Sequence, residues 1–418
     1  MTYRDVASKQ LLVWAGTAVG ARMPVAMAPL ALVFLVRERP GGYSLGALLA
    51  AAYVLGEIVG APVLGMRLRP ERARAQLSAG LAVGAAGFAG LGGLPDAPAA
   101  VLAAFAWVAG AAPAAATGGL RTLLTALVPE RAAAQALSVE SMLTSAVWAV
   151  SPAAVAGLAL GAAPAVPLRL AAALMAASVA GLWFLPAAWG TAGRTAAPLV
   201  RVLAGAWPVY VTGAASLTLL GLSELVLPAL LEQRGIDVGW SGPLLTGMAV
   251  GGGLGAFLHG LRAWPGRLRT RSVLLMTGTA CCVALAALIP HTAGIAAVLV
   301  LGGMFQSAAM LTRNLSLREV LPPGALTAGY AVMYAAASAG YAVTGSLAGA
   351  LLRVVTPSTA VLAGVGVTLV LSAVGWWGEV GRTRVSARGG DGAGAVGVAR
   401  SGAEGTAIGG RGDAERRL

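Results

Sequence analysis

The chain has 418 residues, 58% of them hydrophobic and only 11% charged, with a formal net charge of +13. Soluble domains carry roughly 25% charged residues, so most of this chain cannot face water. Apolar runs of about 20 residues recur without a period-two alternation, which points to membrane-spanning helices and excludes a membrane β-barrel.

In chain order, Met1–Gln10 is a short polar start. Leu11–Val36 is the first span, interrupted by Arg22, Pro24 and Pro29. A Pro-Gly-Gly turn precedes the second span, Leu45–Met66. The basic turn Arg67–Gln76 leads to a third span near Leu77–Leu94, and Ala99–Leu120 is the fourth. Arg121–Leu137 is a partly polar connection with a short helix of its own. Ser138–Leu160 and Leu168–Trp189 complete six. Gly190–Arg201 is polar, holds Gly and Pro, and reads as a linker. The second half repeats the plan with Val202–Leu231, Ser241–Leu261, Ser272–Ile289, Ala293–Thr312, Ala325–Leu352 and Ser358–Gly378. Glu379–Leu418 is rich in Gly, Ala and Arg and is expected to be disordered. The predicted architecture is an all-α polytopic membrane protein with twelve transmembrane helices in two six-helix bundles, at residues 11–189 and 202–378.

Twelve spans put both ends on one side. Twenty-three of the 29 basic residues fall there, against five (Arg37, Arg39, Arg169, Arg234 and Arg353) on the other. The excess of arginine in loops marks the cytoplasmic face, so both termini are expected to be cytoplasmic in a multi-pass plasma-membrane protein. The positive charge therefore reads as topology control, and no nucleic-acid partner is expected. The adjacent Cys281 and Cys282 lie in an apolar run and read as packing residues. The isolated His259 and His291 lack metal-ligand spacing. The glycine run at Gly251–Gly255 lies inside a span without a P-loop lysine. Neither a metal nor a cofactor is implied.

The chain also repeats itself. Gly60–Arg74 (GAPVLGMRLRPERAR) and Gly255–Arg269 (GAFLHGLRAWPGRLR) share seven of fifteen positions at an offset of 195. A weaker echo aligns Leu120–Leu158 with Arg313–Leu351 at an offset of 193, pairing Pro129 with Pro322. Six spans per half make the repeats parallel rather than inverted.

Two parallel six-helix halves, each with a basic loop between its second and third spans, resemble the major facilitator superfamily over about residues 11–378. The segments Arg22-Met23-Pro24 and Ser316–Val320 with Pro322-Pro323 are similar to actinobacterial-type members. The superfamily's loop signature is G-x-x-x-D-R-x-G-R-R/K. Gly65 matches its first glycine and Arg74 its last basic position. Pro70 stands where the first arginine belongs, Arg69 in place of the aspartate and Arg72 in place of the second glycine. Gly65, Arg67, Arg72 and Arg74, with Gly260, Arg262, Arg267 and Arg269, are by this resemblance gate loops without their carboxylate latch. Ser151-Pro152 with Gly157 partly matches the fifth-span antiporter signature. The fourth-span arginine of proton-linked drug exporters has no counterpart in Ala99–Gly119.

An ionisable group within a span needs a partner or a water-filled cavity. Arg22 lies ~17 Å and Glu57 ~14 Å from the inner ends of their spans, so the two are expected to pair, as a structural bridge or as part of a transport site. Glu224 in span seven is a candidate proton or cation site, or else an interface glutamate. Tyr330, Tyr334, Ser338 and Tyr341 share one helical face and would either stack a ligand or pack. Gln306, Ser307, Ser141, Ser145 and Trp148 are weaker cavity candidates. Arg121, Glu140, Arg313 and Glu319 sit near inner span ends as gate ion pairs or surface charges. The resemblance implies a secondary transporter acting by alternating access as a monomer, exporting a small amphipathic molecule coupled to protons. Uptake of a polar metabolite is the alternative within that class. A non-transporting receptor or a membrane-embedded enzyme are rivals outside it.

Overall fold

The computed structural model describes residues 8–39, 42–187, 198–261 and 264–404. The first half contains α1 (Lys9–Val36), α2 (Gly42–Arg67), α3 (Ala73–Gly93), α4 (Ala99–Ala111), α5 (Ala115–Ala126), α6 (Ala133–Gly161) and α7 (Val166–Trp183). The second contains α8 (Leu199–Gly205), α9 (Trp207–Leu225), α10 (Leu227–Gln233), α11 (Ser241–Leu261), α12 (Leu268–Leu288), α13 (Thr292–Val320), α14 (Leu326–Leu351) and α15 (Pro357–Glu404). Among the described residues, ten helical segments are long and apolar enough to cross a bilayer, α4 and α5 counting together. The pair α8 and α9, bent by 58°, makes an eleventh span, and the 26-residue α14 completes twelve.

Several boundaries differ from the sequence expectation, each for a visible reason. The fourth span continues past Leu120 to Ala126, broken only around Pro113. The fifth begins at Ala133, so the connection between them shrinks to residues 127–132, containing one 3₁₀ turn over Glu130–Ala132. The tenth span runs on to Val320 and carries Arg313 into the interior. Polar residues made these segments look like loops, yet Arg121 and Arg313 are helical and find partners in Glu140 and Ser272. Span seven is split at Ala206 and Val226 by Pro208 and Pro228, which cannot donate the intrahelical bond. The last helix continues to Glu404, whereas composition predicted disorder from residue 379. Arginine and alanine favour helix once a span has nucleated it. Residues 405–418, and residues 190–197 of the predicted linker, lie outside the described residues.

The duplication is visible in how the helices cross. A Cβ on Gly60 would sit 2.3 Å from the Ala111 carbonyl oxygen, and one on Gly255 2.3 Å from that of Met304. Gly56 meets the Trp107 carbonyl as Gly251 meets that of Val300. Thus α2 crosses α4 as α11 crosses α13, backbone against backbone, in the close approach that membrane helices use instead of hydrophobic segregation. On the face away from the termini, Arg39 donates to the Pro95 and Ala97 carbonyls, while Arg234 donates to those of Ala286, Ala287 and Ile289. These two arginines are related by the same offset as the basic loops and tie equivalent turns, a further echo not read from the sequence.

The two halves meet toward the face that carries the termini. Gly65 packs on Ala331, and Gly118 on Thr327 and Ala331. Thr327 donates to Thr122 at 3.0 Å. These contacts lie in the last turn of α2, along α5 from Gly118 to Thr122, and in the first turns of α14, so that end of the interface is closed.

Candidate functional site

Just inside this closed end lies a cluster of buried charge. Glu140 of α6 is 1% exposed, and two arginines hold it. Arg121 of α5 donates its Nε to both carboxylate oxygens at 2.9 Å, and Arg22 of α1 donates its Nη2 to Oε1. Arg22 also donates Nη1 to Thr144 Oγ1 at 2.9 Å, one helical turn beyond Glu140. Its Nε is buried without a partner. Arg121 reaches across the interface to Asn314 Oδ1 at 3.2 Å and lies 5.3 Å from the ring centre of Tyr330.

The expected pairing of Arg22 with Glu57 is therefore replaced. Glu57 is 6% exposed and accepts the Tyr334 hydroxyl at 2.7 Å, a bond from the first half to the second. Among the described residues, no arginine or lysine lies within ion-pair distance of Glu57. Depth arithmetic left the azimuth undetermined. Arg22 faces α6, and Glu57 faces α14, which the order of spans along the chain does not reveal.

The span-eleven face divides its work among three partners. Tyr330 is fully buried and donates to the Asn314 carbonyl at 3.3 Å. Tyr334 holds Glu57, and Tyr341 donates to Glu224 Oε2 at 2.8 Å. Glu224 is half-buried near the end of α9. Gln306 donates to the Ser216 carbonyl at 2.8 Å while its own Oε1 is buried without a partner. Ser145 and Ser307 both border Gly252, where the two halves touch. Trp148 is exposed, and Ser141 and Ser338 are half-buried. Ser151 is fully buried, Pro152 is accommodated within an unbroken α6, and Gly157 faces open space.

Of the four inner-end charges, the structure joins Arg121 to Glu140 only. Arg313 is 1% exposed and donates Nη2 to Ser272 Oγ at 2.5 Å, whereas Glu319 is exposed. Thr144 and Asn314 were missed by sequence reasoning. Asn314 had a signal, because the weaker echo aligns it with Arg121 and makes the two counterparts.

The basic loops are latched without the missing carboxylate. Gln76 accepts the Arg69 backbone N–H at 2.8 Å and donates to the Arg67 carbonyl at 3.3 Å. In the second half Arg271 donates to the Trp264 carbonyl at 2.5 Å. Gln76 and Arg271 are counterparts under the loop repeat, and so are Arg69 and Trp264. Arg74 lies 4.4 Å from the ring centre of Trp183. Gly65 and Gly260 are buried; Arg67, Arg72 and Arg267 are exposed, Arg269 is half-buried, and Arg262 lies outside the described residues.

No family model matches the sequence. No curated protein does so either. Solved structures do. The chain superposes on the fucose:proton symporter FucP of E. coli with a TM-score of 0.69 at 12% identity, covering 87% of this chain and 98% of that one. The human organic anion transporter MFSD10 (TETRAN) gives 0.70 at 14% identity, with 90% and 99% covered. A bacterial homologue of the iron transporter ferroportin in its outward-facing state gives 0.70 at 16%, with 90% and 98% covered. The chain has the major facilitator superfamily fold. In a major facilitator frame, the Arg22–Glu140–Arg121 cluster joins spans one, four and five, and Glu57–Tyr334 joins spans two and eleven.

Proposed function

We propose that this protein is a secondary transporter that moves a small amphipathic molecule by alternating access, exporting it under the drive of a proton gradient. The observation that carries the reading is the set of bonds that joins the two halves toward the face of the termini. The halves are bonded by Thr122–Thr327 and Arg121–Asn314 toward one end and by Glu57–Tyr334 deeper along α2 and α14, and each of these bonds has one partner in each bundle. A rocking motion of one bundle against the other would break that set together and open that end of the interface. The arginine count supports cytoplasmic termini in the plasma membrane, which makes the closed end the cytoplasmic gate. Glu57 and Glu224 are the proton-site candidates, since each carboxyl is held by a tyrosine hydroxyl rather than an arginine. The exporter acts as a monomer.

A compound-library susceptibility screen on expressing and deleted cells, repeated with a protonophore, tests this. Expression should lower susceptibility to a subset of compounds, and the protonophore should abolish the difference. No change for any compound refutes export. For Glu224, the Glu224→Gln variant should lose the pH dependence of transport; unchanged rate and pH profile would remove it from coupling.

A further inference from the structure

We infer that the transported molecule is an organic oxyanion, whose charged group is received at Arg22 and Thr144 beside the seam between the halves; this rests on the transporter reading above. The inference starts from the charge carried by the cluster. Arg22, Glu140 and Arg121 are mutually bonded on α1, α6 and α5, and they comprise two guanidinium groups and one carboxylate. The cluster therefore holds one surplus positive charge inside the membrane, where an uncompensated ion is expensive.

The surplus does not fall equally on the two arginines. Arg121 takes both carboxylate oxygens, the Asn314 amide oxygen and the face of Tyr330. Arg22 is 8% exposed, shares only Oε1 and leaves its buried Nε without a partner. The carboxyl expected to pair with it on α2, Glu57, is engaged by Tyr334 and makes no ion pair with Arg22. Arg22 is thus the unfinished cation. A guanidinium with an open N–H edge matches the paired oxygens of a carboxylate, sulfonate or phosphate ester.

The surroundings suit such a group. The Thr144 hydroxyl lies against Arg22, and Ser145 follows it on α6 at the seam with Gly252 and Ser307. The Thr144 hydroxyl gives its proton to the Glu140 backbone carbonyl at 2.9 Å and holds Arg22 in place by accepting from it, and none of these hydroxyls carries a charge to repel an anion. The cluster adjoins the contacts of Gly118 and Thr122 that close one end of the interface, so a ligand there would be held behind the closed gate. An inside-negative membrane potential drives an anion outward, in keeping with export.

The test uses purified protein in proteoliposomes and naphthyl probes of one shape: the carboxylate, sulfonate and phosphate ester, against the neutral amide and the trimethylammonium form. The oxyanions should bind at least tenfold more tightly than the amide and the ammonium probe. Arg22→Gln should erase that preference, Arg22→Lys should keep part of it, and Thr144→Val, which leaves the ion pairs intact, should weaken it several-fold. The ranking among the three oxyanions identifies the headgroup. No preference for oxyanions, or a preference that survives both Arg22→Gln and Thr144→Val in monodisperse protein, overturns the inference. Alternating access is read separately, from labelling of single cysteines on the two faces. Labelling that never switches sides while oxyanion binding persists would refute the transporter reading and leave the binding site standing.

Discussion

Replacing Glu140 by glutamine should be among the most damaging single changes to the fold, because the carboxylate is shared by two buried cations on two other helices. Removing one partner of a buried ion pair costs about 3–5 kcal/mol, most of it from stranding the remaining charge. Here the stranded groups differ. Arg121 retains the Asn314 oxygen and the Tyr330 ring, so its share of the loss is reduced. Arg22 retains only Thr144. We therefore expect a loss near the lower end, about 3 kcal/mol. Equilibrium unfolding in mixed micelles measures it, with the double variant Arg22→Gln/Glu140→Gln closing a cycle. The double variant should recover at least half of the loss, because it removes the less satisfied cation together with its partner. The coupling is then at least about 1.5 kcal/mol, larger by whatever Arg22→Gln costs alone, which is of the size found for contacting residues. If Glu140→Gln unfolds within about 0.5 kcal/mol of the parent, the limit of additivity, or if the two changes simply add, the cluster is not the ion-paired unit described.

Other outcomes follow from the same geometry. Tyr334→Phe removes the bond between the halves at Glu57. A typical hydrogen bond contributes about 1 kcal/mol net, so the population open at the terminal face should rise roughly 5-fold, read from cysteine labelling there. Gly60→Leu and Gly255→Leu should each abolish the monodisperse species in size-exclusion chromatography, since either side chain would strike a carbonyl oxygen 2.3 Å away; a well-behaved variant at either site would deny the equivalent crossings. Gln76→Ala should speed proteolysis of the first basic loop, whereas Arg69→Asp should leave it unchanged, because Arg69 enters the latch through its backbone N–H.

The sequence made the spans, the duplication and the burial of Arg22 legible, since each depends on hydropathy or on spacing along one helix. Partner choice was not legible. Arg22 selects Glu140 over Glu57 because α1 turns that face to α6, and helix azimuth is set by packing between spans that are distant in the chain. The tyrosine face was visible as a 3.6-residue pattern, but its division among Asn314, Glu57 and Glu224 depends on three other helices. Arg121 and Glu140 were read as lying at a span boundary because charge ends an apolar run, whereas mutual neutralisation lets the helices continue.

The two unequal offsets of the repeat have one structural origin. Gly93 ends α3 and Leu288 ends α12, and this pair keeps the larger offset, that of the basic loops. Ala99 begins α4 and Thr292 begins α13, and this pair already follows the smaller one. The second half is simply shorter by two residues in the turn between those helices. On the early side of that turn the equivalences are Arg39 with Arg234, Gly60 with Gly255, Arg69 with Trp264 and Gln76 with Arg271. On the late side they are Ala111 with Met304, Arg121 with Asn314, and the 3₁₀ turns at Glu130–Ala132 and Pro323–Ala325. A latch appears in both halves at Gln76 and Arg271, so the arginine at position 69 does not leave the loop open. In each half the closing bond is made by a side chain at the start of the next helix. The same register puts Arg121 and Asn314 at equivalent places on the axis relating the halves, and there they bond to each other. A duplicated chain that places a cation on one side of that axis and an amide on the other has made the contact between its two bundles asymmetric there.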